Sequence, residues 1–272
     1  MIRHGGGAGR DGLGLPAFVR VVATIAVLLL ALPLAGLVVR APWGAMLEVM
    51  SAPRVGAAIR LSLGTSLAAL ALSTVLGVPL ALVLARGNGA WLRWVRALVL
   101  LPMVLPPVVG GVALLAAFGR RGLVGEPLAR VAGITVPFTG IAVVLAATFV
   151  AMPFLVLTVE GGVRQLDGRL EEAAATLGAS RMTILLRIVM PSLAPTLGAG
   201  MLLAWARALG EFGATITFAG NLQGRTQTLP LLVYLELERD PAAATMLSLV
   251  MLAVAVVVLA TLRGRWLGGL RR

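Results

Sequence analysis

The stretch LSLGTSLAALALSTVLGVPLALVLA, Leu61 to Ala85, contains no charged residue and is long enough to cross the hydrocarbon core of a bilayer as one helix. Five further apolar stretches occur along the chain. The predicted spans lie near 21–39, 61–85, 97–119, 136–159, 193–219 and 241–262. Alternation of apolar and polar residues is absent, and the runs are too long for barrel strands. The sequence therefore predicts an all-α membrane protein with six transmembrane helices.

The composition agrees with this class, since 59% of the 272 residues are apolar and only 12% are charged. Soluble domains carry roughly twice that charged share. The absence of cysteine excludes disulfides, thiolate zinc sites and thiol catalysis, and the single histidine argues against imidazole catalysis. The net charge of +12 comes from arginines clustered between apolar runs, a membrane pattern. We expect no catalytic residue, metal, cofactor or nucleic-acid partner.

The arginines also indicate how the chain is oriented. More of them lie in the segments that are inside when both termini are cytoplasmic, as the positive-inside rule requires. We expect a single transmembrane domain over 18–266 in the lipid of a cytoplasmic membrane, a disordered cytoplasmic leader over 1–17 and a cytoplasmic tail over 267–272. The first run, Val21 to Val39, exceeds the length of a usual signal-peptide core, so we interpret it as an uncleaved span.

The segment 160–187 is the one long polar segment on the predicted inner side. Asp167 is an N-cap residue type, Gly178 is suited to end the helix that follows, and Ser180 can cap a second helix. The narrow apolar face of the first helix consists of Leu170, Ala173, Ala174 and Leu177. Composition alone leaves two interpretations open: docking into a groove of another protein, or resting on lipid headgroups.

The spacing of residues within this segment separates the two interpretations. The stretch EAAATLGASRMTILLRIVMP, Glu172 to Pro191, resembles the EAA signature of bacterial ABC importer permeases. It departs from the signature at Met190, where leucine is usual, and methionine keeps the volume and apolarity. The resemblance implies a cytoplasmic coupling loop over 160–187 that sits in a cleft of a separate ATPase subunit. The implied coupling residues are Leu170, Glu172, Ala173, Ala174, Leu177 and Gly178.

Further segments resemble the molybdate ABC transporter permease family over nearly the whole chain. They are VPLALVLAR (78–86), LPMVLPPVVGG (101–111), RALGEFGATITFAGN (207–221) and GRTQTLP (224–230). The resemblance implies a type I ABC importer permease fold and import of molybdate, and of tungstate as well. It also implies a homodimer with two ATPase subunits and an extracytoplasmic molybdate-binding protein. The sulfate/thiosulfate permeases are the alternative, and the segment 224–230 favours molybdate.

Arg207 and Glu211 are charges four residues apart in the predicted outer half of the fifth span. One interpretation is a gate or transient oxyanion contact by Arg207, with Thr215 and Thr217 as further hydrogen-bond donors. The other is a structural ion pair, which we favour because an arginine neutralised by a glutamate is a poor anion trap.

Pro106 and Pro107 predict a kink in the third span. Proline in a membrane helix frees carbonyl groups, which is tolerated where helices pack or line a water-filled path. The sequence leaves these two roles open, so both prolines are candidate pathway residues.

The chain contains no lysine, and therefore no phosphate-binding loop of the Lys-Ser/Thr type. We expect that it is not an enzyme and that a separate subunit hydrolyses ATP. An ion-coupled secondary carrier is the alternative of another class, but it requires ionisable residues near the midplane of several spans. The central parts of spans one to four and six contain none, which favours the ABC permease.

Overall fold

The computed structural model describes residues 16–267, and the side chains of residues 16–257. All regular elements in that range are helical. They are α1 (Ala17–Val39), α2 (Met46–Ser51), α3 (Pro53–Arg86), α4 (Trp91–Val104), α5 (Pro107–Phe118), α6 (Gly125–Ala132), α7 (Gly140–Arg164), α8 (Arg169–Thr176), α9 (Arg181–Ile184), α10 (Met190–Leu209), α11 (Gly213–Phe218), α12 (Leu229–Arg239) and α13 (Pro241–Leu267). The predicted leader and tail lie outside the described residues, except for Pro16 and Ala17 at the start of α1 and Leu267 at the end of α13.

Four helical segments within the described range are long and apolar enough to cross a membrane. They are Ala17–Val39, Pro53–Arg86, Gly140–Arg164 and Arg181–Leu209, the last of which includes α9, a π-helical turn at Leu185–Val189 and α10. Shorter apolar helices are α5 and the part of α13 up to Val257. The all-α prediction is confirmed. The six predicted spans correspond in chain order to α1, α3, α4 with α5, α7, α10 with α11, and α13.

The third predicted span is two helices and not one, because α4 ends at Val104 and α5 begins at Pro107. Leu105 (φ −66°, ψ 137°) and Pro106 (φ −53°, ψ 135°) both have extended backbone. A residue before proline is pushed out of the helical region, and the two prolines lack the N–H groups that would continue the helix. The predicted kink is therefore a complete break.

The fifth predicted span is broken as well, between Leu209 and Gly213. Phe212 lies outside helical geometry (φ −130°, ψ −55°). The carboxylate of Glu211 accepts a hydrogen bond from the backbone N–H of Ala214 at 2.8 Å, so it satisfies a free donor in the first turn of α11. The sequence contains only one glycine in the break itself, Gly210, which does not predict an interruption by itself.

The core of the bundle consists of α3, α7 and α10, and α7 is the most buried of the long helices. Small residues allow these helices to approach closely. A Cβ atom placed on Gly77 of α3 would lie 3.2 Å from Val156 of α7, and one on Gly200 of α10 would lie 2.9 Å from Leu155. Close packing of this kind replaces the hydrophobic effect as the force between helices in lipid. In contrast, α1 has no buried residue.

Candidate functional site

Helix α8 ends in the manner that the sequence predicts. Gly178 has a φ of +83°, the left-handed region that glycine adopts without strain. The N–H of Gly178 donates to the carbonyl of Ala175, and the N–H of Ala179 donates to the carbonyl of Ala174, each at 3.0 Å. This pair of bonds is the Schellman arrangement, which ends α8 before α9 begins.

Both predicted capping residues of this loop, Ser180 and Asp167, bond to a helix start, but the N-cap position of α8 lies one residue later than predicted. The Ser180 hydroxyl accepts a hydrogen bond from the N–H of Thr183 at 3.2 Å, as expected for the N-cap of α9. The N-cap position of α8 is Gly168, one residue after the predicted Asp167. The Asp167 carboxylate still accepts from the N–H of Arg169 at 3.1 Å, so it serves the same helix start.

The apolar face of α8 is turned away from the rest of the described chain. Leu170 is 62% exposed and Leu177 is 89% exposed, and Met182 at the start of α9 is also exposed. Among the other predicted coupling residues, Glu172, Ala173 and Gly178 are exposed and Ala174 is half-buried. Large exposed apolar side chains that share one surface indicate a docking site.

Glu171 attaches this docking surface to the bundle. Its carboxylate lies 2.7 Å from the Nη2 atom of Arg86, the last residue of α3. The partners are 85 residues apart in sequence, and no local pattern indicates the contact. The neighbouring Glu172 forms no salt bridge within residues 16–257. The two adjacent glutamates therefore face in different directions, one toward α3 and one toward solvent.

A second ionic cluster lies at the same end of α3 and was missed by sequence reasoning. Glu160 of α7 is 5% exposed, and one of its carboxylate oxygens accepts from Arg96 of α4 at 2.7 Å and from Arg164 at 2.9 Å. Both guanidinium groups also donate to the carbonyl of Leu84. The only sequence signal is that Glu160 and Arg164 are four residues apart. The cluster joins α3, α4 and α7.

The two helix breaks meet in space. A Cβ atom on Gly213 would lie 2.7 Å from Pro107, and one on Gly111 would lie 2.6 Å from Thr217. Helix α11 thus packs directly on α5, and the contact requires glycine on each side. Pro106 and Pro107 are exposed in the single chain even though Pro107 contacts Gly213. Discontinuous helices in transporters are found where the backbone lines a substrate path.

Arg207 and Glu211 form the ion pair that the sequence suggests, with 2.7 Å between Nη1 and Oε2. Glu211 is buried, whereas Arg207 keeps 28% of its side chain exposed. Because the same carboxylate caps α11 through Ala214, its position is fixed from two directions. The geometry matches the structural interpretation of Glu211, and it leaves part of the Arg207 side chain accessible.

The two predicted threonine donors differ from each other. The Thr217 hydroxyl donates to the carbonyl of Gly213 at 2.9 Å and is therefore occupied within its own helix. The Thr215 side chain is buried, and its hydroxyl has no hydrogen-bond partner among the described residues.

The segment 224–230, which favours molybdate at the sequence level, is a structural turn whose residues 226–229 are buried. Gly224 has a φ of +72°, and the Thr226 hydroxyl accepts from the N–H of Leu222 at 2.9 Å. The N–H of Leu229 donates to the Ser62 hydroxyl of α3 at 2.6 Å, which fixes the start of α12 against the bundle. No contact in the described chain gives this segment a substrate-binding role.

Comparison with known proteins places these features in a family. A family model described as "Binding-protein-dependent transport system inner membrane component" matches residues 77–268. The chain belongs to this family. It is similar to the Molybdenum transport system permease protein ModB of Mycobacterium tuberculosis, with 48% identity over 244 residues that cover 90% of this chain and 92% of that protein. The Sulfate transport system permease protein CysT of Escherichia coli K12 is 36% identical over 236 residues, or 85% of each chain.

Among solved structures, the permease fold matches that of a bacterial alginate ABC transporter in complex with an alginate pentasaccharide-bound periplasmic protein. The TM-score is 0.69 at 18% sequence identity, and the match covers 90% of this chain and 91% of the other. The similarity confirms the ABC importer permease fold that the sequence predicts. The chain is thus a multi-pass membrane component of a transport system.

Proposed function

We propose that this chain is the permease subunit of an ABC importer that carries molybdate, and also tungstate, into the bacterial cytoplasm. The similarity to ModB, which extends over 90% of the chain, supports molybdate as the substrate. The similarity to the sulfate permease CysT is lower in both identity and coverage. A separate subunit hydrolyses ATP, since this chain has no lysine for a phosphate-binding loop.

In the proposed assembly, two copies of the chain form a homodimer around the substrate pathway. Two ATPase subunits bind on the cytoplasmic side, and an extracytoplasmic molybdate-binding protein docks on the opposite side. Both termini face the cytoplasm, which puts the α8 loop on the ATPase side. The arginine distribution and the periplasmic partner of the related alginate transporter support this arrangement.

The observation that carries the proposal is the exposed apolar face of α8, held to the bundle at both ends. Leu170 and Leu177 present the face, and Glu171 binds Arg86 at the end of α3. After the turn at Gly178, the chain continues as one apolar helical segment over Arg181–Leu209. A displacement of α8 by a docked ATPase therefore acts on α3 and on α10 together.

The connection of α8 to α3 and α10 allows a motion of the ATPase subunits to reach the transmembrane helices. Closure of the two ATPase subunits on ATP draws the two α8 helices together, and α3 and α10 follow. The breaks at Pro106 and at Gly210 are the positions at which the helices can change direction. A docked partner shifts the equilibrium between two permease conformations only if it binds one of them more tightly. The preference of the ATPase for one conformation, expressed through its docking on α8, must therefore differ between the ATP-bound and the ATP-free ATPase.

Along the pathway, Arg207 is the proposed transient contact for the oxyanion. Glu211 pairs with Arg207 through one guanidinium nitrogen, and 28% of the Arg207 side chain stays exposed, so a further hydrogen bond to an anion is proposed for the remaining N–H groups. A weak contact suits transport, because an anion held tightly would not be released.

The substrate is tested in vesicles reconstituted with the permease, its ATPase and its binding protein. We expect ATP-dependent uptake of labelled molybdate that tungstate competes for at equal concentration. A hundredfold excess of sulfate should leave the uptake unchanged. Inhibition by sulfate at equal concentration would instead assign the chain to the sulfate importers.

The coupling loop is tested separately with Gly178→Val. Valine at a φ of +83° is strained by about 1–3 kcal/mol, so the turn between α8 and α9 must change. We expect uptake per ATP hydrolysed to fall at least fivefold. The matched control is Gly168→Val in the same loop, where φ is −64° and no atom lies within 4 Å of the added Cβ. Wild-type uptake by an assembled Gly178→Val complex would refute the coupling assignment.

A further inference from the structure

A cleft of about 430 Å³ opens beside the connection between α3 and α4, at the same end of the bundle as the α8 loop. Residues 87–90, which connect the two helices, line part of it. Three arginines from two helices line the cleft, namely Arg93 and Arg96 of α4 and Arg164 of α7. Neither the docking surface on α8 nor the pathway uses this cleft.

The cleft has an excess of positive charge. Arg96 and Arg164 share the single carboxylate of Glu160, whereas Arg93 makes no side-chain hydrogen bond or salt bridge with the described part of the chain. Three arginines against one carboxylate leave two positive charges. The start of α4 adds to this excess, since its first turn contains no acidic residue and no side chain caps it. An arginine in the first turn of a helix is unfavourable unless an anion lies nearby.

The surface next to the cleft is suited to lipid. Trp91 and Trp94 of α4 are 59% and 80% exposed, and Leu98 and Leu101 continue the same exposed apolar stripe along the helix. Exposed tryptophans are typical of the level of the lipid headgroups, and leucines beyond them contact acyl chains. The tryptophans therefore place the arginine cleft at the depth of the phosphate groups.

We infer that this cleft binds the phosphate group of an anionic phospholipid, with Arg93 as the principal contact and the acyl chains along Trp94, Leu98 and Leu101. Basic pockets between membrane helices bind anionic headgroups through the same chemistry. Arg96 and Arg164 already belong to the cluster that joins α3, α4 and α7. Together with Glu160, a bound phosphate would contact Arg96 and Arg164, and the lipid would thereby join the three helices α3, α4 and α7 at this cluster.

The test measures lipid binding to the purified full-length chain by native mass spectrometry. Phosphatidylglycerol and phosphatidylcholine with identical acyl chains are titrated in parallel, and inorganic phosphate is added in a third series. We expect phosphatidylglycerol to bind more tightly than phosphatidylcholine. Arg93→Gln should weaken the binding of phosphatidylglycerol about fivefold, the effect of one arginine near a membrane surface.

The matched control is Arg20→Gln, which removes an exposed arginine from the first turn of α1 at the same predicted membrane face. It should leave the affinity for phosphatidylglycerol unchanged. Equal losses in the Arg93 and Arg20 variants would mean unspecific attraction to the surface and would overturn the proposal. Displacement of phosphatidylglycerol by millimolar phosphate, with no preference over phosphatidylcholine, would assign the cleft to a free anion and overturn it as well.

Discussion

Two arginine–glutamate pairs in this molecule have the same separation of 2.7 Å and different surroundings. In the docking region, Arg86 and Glu171 come from helices far apart in sequence, and their side chains are 43% and 24% exposed. At the break between α10 and α11, Arg207 and Glu211 lie four residues apart, and the glutamate is 1% exposed. The first pair connects two elements and contributes little stability, whereas the second fixes one local conformation and is costly to disrupt.

The distance between the charged atoms does not indicate the role of an ion pair, because these two pairs have the same separation but differ in their burial and in the elements that they join. An exposed pair is screened by water, so removal of either partner leaves a charge that solvent can stabilise. A buried carboxylate has no such alternative. We therefore expect loss of the Arg207–Glu211 pair to affect stability first, and loss of the Arg86–Glu171 pair to affect transport first.

The largest expected effect is that of Glu211→Gln. Glutamine can still accept the hydrogen bond from Ala214, but it leaves the partly buried Arg207 charge without its counterion. We expect a loss of about 3 kcal/mol in stability, measured by thermal unfolding of the purified complex, together with loss of molybdate uptake. Glu211→Ala should lower the stability further, since it also removes the hydrogen bond that the carboxylate accepts from the first turn of α11.

The double variant Arg207→Gln/Glu211→Gln tests whether the unpaired Arg207 charge causes the loss of stability in Glu211→Gln. It removes both charges, and we expect it to be more stable than Glu211→Gln alone. If Glu211→Gln unfolds at the wild-type temperature, the pair is not the structural element that its burial indicates.

An intermediate effect is expected from Arg86→Gln. The exposed pair should contribute only about 0.2–1 kcal/mol to stability, so the complex should assemble normally. If Glu171 transmits the motion of α8 to α3, uptake per ATP hydrolysed should fall about fivefold. The measurement compares ATPase rate and molybdate uptake in the same vesicles.

The control for Arg86→Gln is Glu126→Gln, which breaks the exposed pair between Glu126 and Arg130 on α6, outside the docking region. It should change neither rate. The charge-exchanged variant Arg86→Glu/Glu171→Arg restores a pair across the same contact, and we expect it to recover part of the uptake. Full uptake by Arg86→Gln would mean that α8 acts on the bundle through α10 alone.

The two regions also differ in how far the sequence predicts them. The docking loop is built from local signals: Ser180 caps the helix that follows, and Gly178 takes the left-handed conformation that ends the helix before it. Such signals act over a few residues and can be read directly. The contact of Glu171 with Arg86 joins residues 85 apart in the chain, and no short-range pattern reports it.

The two helix breaks, after Val104 and after Leu209, also differ in how far local sequence predicts them. Pro106 and Pro107 predict a kink because proline cannot donate to the helix, and the structure has a complete break there. The break after Leu209 has no proline, and it depends on α11 packing against α5 through Gly213 and on the cap that Glu211 provides. Apolar runs therefore predict where the membrane spans lie, while tertiary contacts decide where they are interrupted.

The smallest effect is expected from Thr215→Val in α11. The buried Thr215 hydroxyl has no partner in the described chain, and an unpaired buried hydroxyl costs free energy. Valine has nearly the same shape, so the variant should unfold at a slightly higher temperature. If the hydroxyl is retained as a donor to the oxyanion in another state of the transport cycle, uptake should fall about threefold, the lower range of one net hydrogen bond.

Thr217→Val is the matched control in the same helix. Its hydroxyl already donates to the carbonyl of Gly213, so valine removes a local bond and no free donor. We expect a small loss of stability and unchanged uptake. The opposite outcome, in which Thr217→Val slows uptake and Thr215→Val does not, would reverse the roles of the two threonines. The accessible donor would then lie on the half-exposed face of α11, which also packs against Gly111 of α5.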